Sequence, residues 1–278
     1  MKYALYSNLE LLKAGVFFTF LVTLLLLETR WPRRDAPTSW NRRARNFAMV
    51  ALSTVMLRVI YPLGAIGFAA AWPWGLLHLV NAPTALACAA SVVLLDLAIY
   101  WQHRAFHASA WLWRVHRVHH TDTAFDVTLG VRFHPIEILL SFAYKLLIIA
   151  LLGAAPVAVA IYEASLLAFS LMTHANIALP HKMDRGIRHV FVTPDWHRIH
   201  HSVHADETNS NFGNILTIWD RWFRTVREIP RDGQRSMRIG LAEFRDPASQ
   251  RLLALLLQPL LSIPPAGSGT PPKEHHHA

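Results

Sequence analysis

Three short stretches of this chain carry histidine at spacings that suit metal coordination: His103-Arg-Ala-Phe-His107, His116-Arg-Val-His119-His120 and His197-Arg-Ile-His200-His201. On an α-helix, residues three and four positions apart share a face. HxxxH therefore projects two imidazoles from one side, and HxxHH projects three from one edge. Neutral imidazole nitrogens converge on a cation without adding a charge penalty. A lone histidine is usually a surface or satisfied core residue. Here the last two stretches are near-copies, His-Arg-Val-His-His-Thr against His-Arg-Ile-His-His-Ser, which sets them apart from chance. The eight imidazoles exceed the needs of one ion, since zinc takes four ligands and catalytic iron about five or six. Two ions sharing eight or nine imidazoles is the natural count, and His174, in Met172-Thr-His174-Ala-Asn176, is the ninth candidate. No thiolate cluster and no HExxH motif accompanies them. Imidazole suits zinc, copper, nickel and iron alike, so spacing does not choose the metal.

The elements that must position these rings are hydrophobic. Of 278 residues, 53% are apolar and 16% charged, and the mean hydropathy is +0.25. Soluble domains carry roughly 25% charged residues, so the balance argues against a soluble enzyme and excludes a disordered or fibrous chain. The single Cys88 excludes a disulfide framework. A membrane-spanning helix needs about 20 apolar residues. Candidate spans are Leu11–Leu27, Phe47–Ala70, Thr84–Trp101, Ile136–Gly153 and Val157–Met172, the last two joined tightly enough to force an antiparallel hairpin. The first reads as a retained anchor rather than a signal peptide, because Glu28-Thr-Arg-Trp-Pro follows it instead of a small-residue cleavage site.

Arg30, Arg33, Arg34, Arg42, Arg43 and Arg45 lie between the first two spans, whereas residues 71–83 hold no Lys or Arg. The bias of positive charge toward the cytoplasm places the N-terminus outside and all three histidine stretches at cytoplasmic helix ends. The expected fold is all-α: an integral membrane bundle of about four to five transmembrane helices with a cytoplasmic, histidine-rich helical cap. Most of the formal +9 charge falls on one membrane face, which argues against a nucleic-acid partner. The Arg30–Arg45 stretch is expected to meet anionic lipid or, alternatively, to dock an acidic donor protein. Lys145 and Glu163 reach similar depth in the hairpin and are expected to pair across it. Three segments follow: 1–82 with the first helices and the basic loop, 83–231 with the metal ligands, and a tail from 232 to 278. That tail is expected to be disordered from about 264, with His275–His277 outside any site. Leu252–Leu261 is too short to span and is expected at the interface or over the metal domain.

The order HxxxH, HxxHH, HxxHH around hydrophobic hairpins resembles the fatty acid hydroxylase and sterol desaturase superfamily of membrane di-iron oxidases. The likeness runs from about Asp96 to Thr225 and extends past histidine. It takes in Asp96 and Tyr100, Arg132-Phe-His134-Pro135-Ile-Glu137, His174-Ala-Asn176-Ile-Ala-Leu-Pro180, Thr193-Pro194, Asn211-Phe-Gly213 and Trp219-Asp220. Where the family commonly closes this segment with Phe-Gly-Thr, the chain has Phe223-Arg224-Thr225. The resemblance implies a di-iron centre (two Fe ions, with O2 as co-substrate) that hydroxylates or desaturates a fatty acyl, sterol-like or other isoprenoid lipid. It also implies electrons from a separate ferredoxin, cytochrome or reductase.

Asp96 lies on the face of His103 and is expected to accept a ring N–H from a ligand. His134 precedes a proline and is expected to cap a helix or support the ligands rather than bind metal, while Asn176 and Asp220 are expected to support the ligands. Thr193-Pro194-Asp195 reads as a helix start. His78, His181, His189 and His204 read as surface or interfacial residues. Composition suggests a bacterial inner membrane. The rival readings are a histidine-based metal transporter, whose sites would sit near mid-membrane, and a zinc-dependent membrane hydrolase.

Overall fold

The computed structural model describes residues 2–35 and 39–262. Among the described residues the regular structure is helical, with three isolated β-bridges and no longer ladder. The expected tail from about 264, with His275–His277, lies outside the described residues. Helix α1 (Lys2–Arg30) is a single long apolar rod. After Ser39, whose hydroxyl accepts the Arg42 N–H at 3.2 Å, comes α2 (Trp40–Ile60). The sequence predicts one span over 47–70, but the chain breaks at Tyr61-Pro62-Leu63 and restarts as α3 (Gly64–Ala71). Proline disfavours helical backbone in the residue before it, and Tyr61 has left the helical region at φ −125°, ψ 69°.

A short α4 (Leu76–Leu79) follows, then α5 (Thr84–Ala108), α6 (Ala110–His120), α7 (Pro135–Leu152), α8 (Pro156–Thr173) and a short α9 (His181–Ile187). Helix α5 runs seven residues beyond its apolar stretch, from Trp101 to Ala108, and so carries His103 and His107 on a rigid rod. Helices α7 and α8 each begin with proline in the first turn, where its missing N–H costs nothing, and form the expected hairpin. Gly153 closes α7 at φ +67°, a conformation that favours glycine. A Cβ on Gly75 would stand 2.1 Å from the Gly153 nitrogen, so the α4 entry and the hairpin turn touch backbone to backbone.

Five helical segments are long and apolar enough to cross a membrane: Ser7–Arg30, Trp40–Leu79, Thr84–Ala108, Pro135–Leu152 and Pro156–Thr173. Their outward faces are apolar as well; Phe18 is 61% exposed, Val59 75% and Leu147 54%. Such a belt is a liability in water and matches a bilayer. Inside, Leu95, Ile149, Val159 and Tyr162 form a fully buried core. Lys145 and Glu163 pair as expected, and α1 adds a partner the sequence did not indicate, since Lys13 Nζ lies 2.8 Å from Glu163.

The basic loop departs from expectation. Rather than facing lipid or a donor protein, four of its six arginines turn inward, while Arg30 stays exposed against the Trp31 ring. Arg33 holds Asp195 through two nitrogens at 2.9–3.1 Å, and Arg34 donates to the Met237 carbonyl at 2.6 Å. Arg42 bonds both Asp122 and Asp126 at 2.7 Å, and Arg43 reaches Asp126 at 3.0 Å. These carboxylates belong to the histidine cap, so the loop straps α1 and α2 to it. The Leu252–Leu257 turn lies over the same cap, with Leu255 buried against Met49 and Val118.

Candidate metal centre

The nine predicted histidines come together in two groups. His103, His107, His116, His120 and His200 form one; His119, His174, His197 and His201 form the other, with the candidate ligand nitrogens of each group within 4.8 Å of one another. Helix geometry explains the division. In α6 the i, i+4 pair His116/His120 faces the five-histidine group and His119, at i+3, faces the other. In α10 (Pro194–His200) the assignment is exchanged: the i, i+4 pair His197/His201 serves the four-histidine group and His200 the five. The near-copies thus cross-brace the two groups. Helix α10 starts as its sequence predicts, with the Thr193 hydroxyl accepting the Trp196 N–H at 3.3 Å and Pro194 in the first turn.

Most rings are oriented from behind. Nδ1 of His116 donates to the Glu137 carboxylate at 2.7 Å, that of His103 to the Phe212 carbonyl at 2.8 Å and that of His200 to the Ser210 carbonyl at 2.7 Å. His174 donates to the Ser170 carbonyl at 2.7 Å, His119 to the Arg132 carbonyl at 3.2 Å and His107 to the Asn209 amide oxygen at 3.3 Å. These acceptors fix the proton on Nδ1 and leave the lone pair on Nε2. The Nε2 atoms of His103, His107 and His200 are buried with no hydrogen-bond partner. Nε2 of His119 and of His174, neither of which carries a proton, meet at 3.1 Å. Two lone pairs face each other there, an arrangement that repels unless a cation lies between. Nitrogens of His174 and His197 at 3.1 Å, of His174 and His201 at 3.2 Å and of His116 and His120 at 3.2 Å repeat the spacing. Adjacent ligands on one ion, each at about 2.0–2.1 Å, stand roughly 2.9–3.4 Å apart, so these residues fit a metal.

Burial, and then the neighbouring imidazoles, hold His119, His120, His197, His200 and His201 well below the usual histidine range. Burial lowers His174 to about 4. The rings therefore stay neutral and ready to ligate at pH 7.

Of the expected supporting residues, Asp96 and Asn176 are placed differently. Asp96 does not bond a ligand ring; its Oδ2 accepts the Trp219 indole N–H at 2.8 Å and the Leu216 N–H at 3.3 Å. Asn176 grips the backbone of Arg34, accepting at 3.1 Å and donating at 2.9 Å, and bonds no ligand. His134 caps α7, accepting the Ile136 N–H at 3.2 Å, with Nε2 against the Leu256 carbonyl at 3.1 Å; no nitrogen is left for metal. Asp220 accepts the N–H groups of Phe212 and Gly213 at 2.8 and 3.0 Å, and so holds the peptide whose carbonyl orients His103. Arg224 adopts φ +58°, the region that favours glycine, where the family commonly has glycine. The role of Glu137 behind His116 does not follow from the histidine spacing; its signal is a carboxylate in the first turn of a helix that follows the α6 cluster. An apolar cavity of about 300 Å³ opens from His103, His116, His119, His174 and His197 into the bundle, between Phe17, Val50, Ile99, Ile138 and Leu166.

Residues 88–225, which hold all nine histidines, match the model of the fatty acid hydroxylase family. The chain belongs to this family. Over 179 residues it is 34% identical to an ornithine lipid hydroxylase of Rhizobium tropici, covering 64% of this chain and 51% of that protein. Over 131 residues it is 28% identical to the alkylglycerol monooxygenase of Danio rerio, covering 47% of this chain and 28% of the relative. The human alkylglycerol monooxygenase is 25% identical over 131 residues, with the same coverage. The chain spans about half the length, or less, of these curated relatives. No solved structure matches it significantly. The fatty acid hydroxylase region thus spans α5 to α10 and the 211–225 segment that Asp96 and Asp220 fasten down.

Proposed function

We propose that this protein is a membrane lipid hydroxylase whose nine histidines hold two iron ions, at the cytoplasmic face of a bacterial inner membrane. The observation that carries this reading is the meeting of lone-pair nitrogens at the mouth of an apolar cavity. The balanced reaction is R–H + O2 + 2 e⁻ + 2 H⁺ → R–OH + H2O. Hydroxylation is preferred to desaturation because the relatives are named hydroxylase and monooxygenase. The electrons come from a separate one-electron carrier such as a ferredoxin or cytochrome, with or without its reductase. When bound, iron supplies oxygen activation and the oxidation of an unactivated C–H bond.

The chain's own residues do the rest. Glu137, with the carbonyls of Arg132, Ser170, Ser210 and Phe212, holds protons on Nδ1 and aims the opposite nitrogens. The walls around Phe17, Val50 and Ile138 hold hydrocarbon beside the histidines and exclude water. Full-length protein purified without oxygen should contain about two irons per chain and, given reductant and O2, add one oxygen atom to a membrane lipid. Zinc alone with no oxygen uptake refutes the assignment, and loss of two hydrogens would identify a desaturase.

A further inference from the structure

The cavity at the histidines does not end in hydrocarbon. A second cavity of about 340 Å³ continues it, and Thr54, Leu57, Ile99, Ile138, Ser141 and Leu166 line both. At its far side stand Glu10, Lys13, Arg58, Lys145 and Glu163. Lys13 bonds Glu163 at 2.8 Å and Glu10 at 2.9 Å, Arg58 bonds Glu10 at 3.2 Å, and Lys145 bonds Glu163. Three cations thus face two carboxylates, an excess of one positive charge. Charge within a membrane span is costly unless it is paired, and it marks substrate paths.

We propose that this cluster binds the anionic end, a carboxylate or phosphate, of an amphiphile whose alkyl chain lies along the shared wall toward the histidines. This rests on the hydroxylase reading given above. The sign of the ligand follows from the excess cation: an ammonium group would compete with Lys13 and Lys145 for carboxylates they already hold, whereas an anion neutralises the site. Its orientation follows from the walls: beside the histidines they are mainly apolar, with Glu137 the one carboxylate and that held by His116, whereas the cations stand only at the far end. The depth follows from helix rise. Glu137 and Lys145 on α7 are eight residues apart, and Ser170 and Glu163 on α8 are seven apart. At 1.5 Å per residue the cluster lies about 11–12 Å from the histidines. An extended chain advances about 1.3 Å per carbon, so the oxidised carbon falls on the order of nine carbons from the anionic group.

The test uses full-length protein in phosphatidylcholine nanodiscs and three radiolabelled probes: palmitate, a monopalmitoylglycerol phosphate and methyl palmitate. At least one anionic probe should bind about 10-fold tighter than the ester, as a charge-assisted contact provides. The better of the two distinguishes a carboxylate from a phosphate source. Arg58→Gln and Lys145→Met should each remove most of that preference. The Arg58 side chain is 57% exposed, so its replacement leaves the core intact even if Lys145→Met misfolds. Equal binding of ester and anion, or full preference in Arg58→Gln, overturns the proposal. In turnover, oxygen placed beside the polar end also overturns it. Binding needs neither iron nor O2, so intact anion preference without oxidation refutes the hydroxylase reading alone.

Discussion

The two histidine groups use the same side chain but differ in what stands behind the rings. In the five-histidine group, His116 is backed by the Glu137 carboxylate, and His103 and His200 by short bonds to carbonyls. In the four-histidine group only carbonyls serve, to His119 and His174, and Nδ1 of His197 and of His201 has no hydrogen-bond partner, as is true of His120 alone among the five. A carboxylate behind a ligating imidazole makes it more basic and fixes its orientation. One group is therefore built to grip and the other to yield, although α6 and α10 supply both with nearly identical motifs.

The largest effect tests whether the groups are separable. His174→Ala should abolish oxygen incorporation while lowering bound metal from about two ions to about one per chain; loss of both ions by elemental analysis would show a single interdependent site. Arg42→Gln should weaken both groups alike. It leaves Asp122 and Asp126 buried without this guanidinium, at a cost of about 3–5 kcal/mol visible as a lower Tm; selective loss of one ion would contradict that. Glu137→Gln should weaken only the five-histidine site, by about 10–100-fold in chelator competition, and equal weakening of both would break the contrast.

The smallest effect reaches His103 through Phe212. Burial raises the Asp220 carboxyl to about 6 from its usual 3.8. The folded state then holds this proton more firmly than the unfolded one, so the contribution is greatest below about pH 4 and declines as pH rises through 6. Asp220→Asn lacks that decline, and its Tm relative to the parent should rise by a few degrees between pH 4.5 and pH 7.5. A difference that does not change with pH would mean that Asp220 acts only as an acceptor.

Much of the centre was legible because it obeys local periodicity. HxxxH and HxxHH fix which rings share a face, and the end of the fifth span sets the level of His174. Lys145 and Glu163 were legible for a similar reason, since a tight hairpin makes depth countable. What periodicity cannot supply is the identity of the neighbour across a gap. Asp96 does sit on the face of His103, but the group opposite it is Trp219, 123 residues away. The basic loop misled in the same way: its charge pointed to lipid or a donor protein, yet the partners of Arg33, Arg42 and Arg43, namely Asp195, Asp122 and Asp126, lie in distant segments. Pro62 was visible, but the restart of the chain as α3, packed against α7 and α8, was not.

The strap formed by Arg42 has a consequence for the order of synthesis. Its nearest counter-ion, Asp122, is translated 80 residues later, an interval of about 4 to 16 s at 5–20 residues per second. During that interval α2 and α5 are completed while the guanidinium waits for carboxylates that have not yet been made. Insertion of the early helices and their attachment to the histidine cap are therefore separate events in time, and a translational pause between residues 42 and 126 would lengthen the gap that divides them.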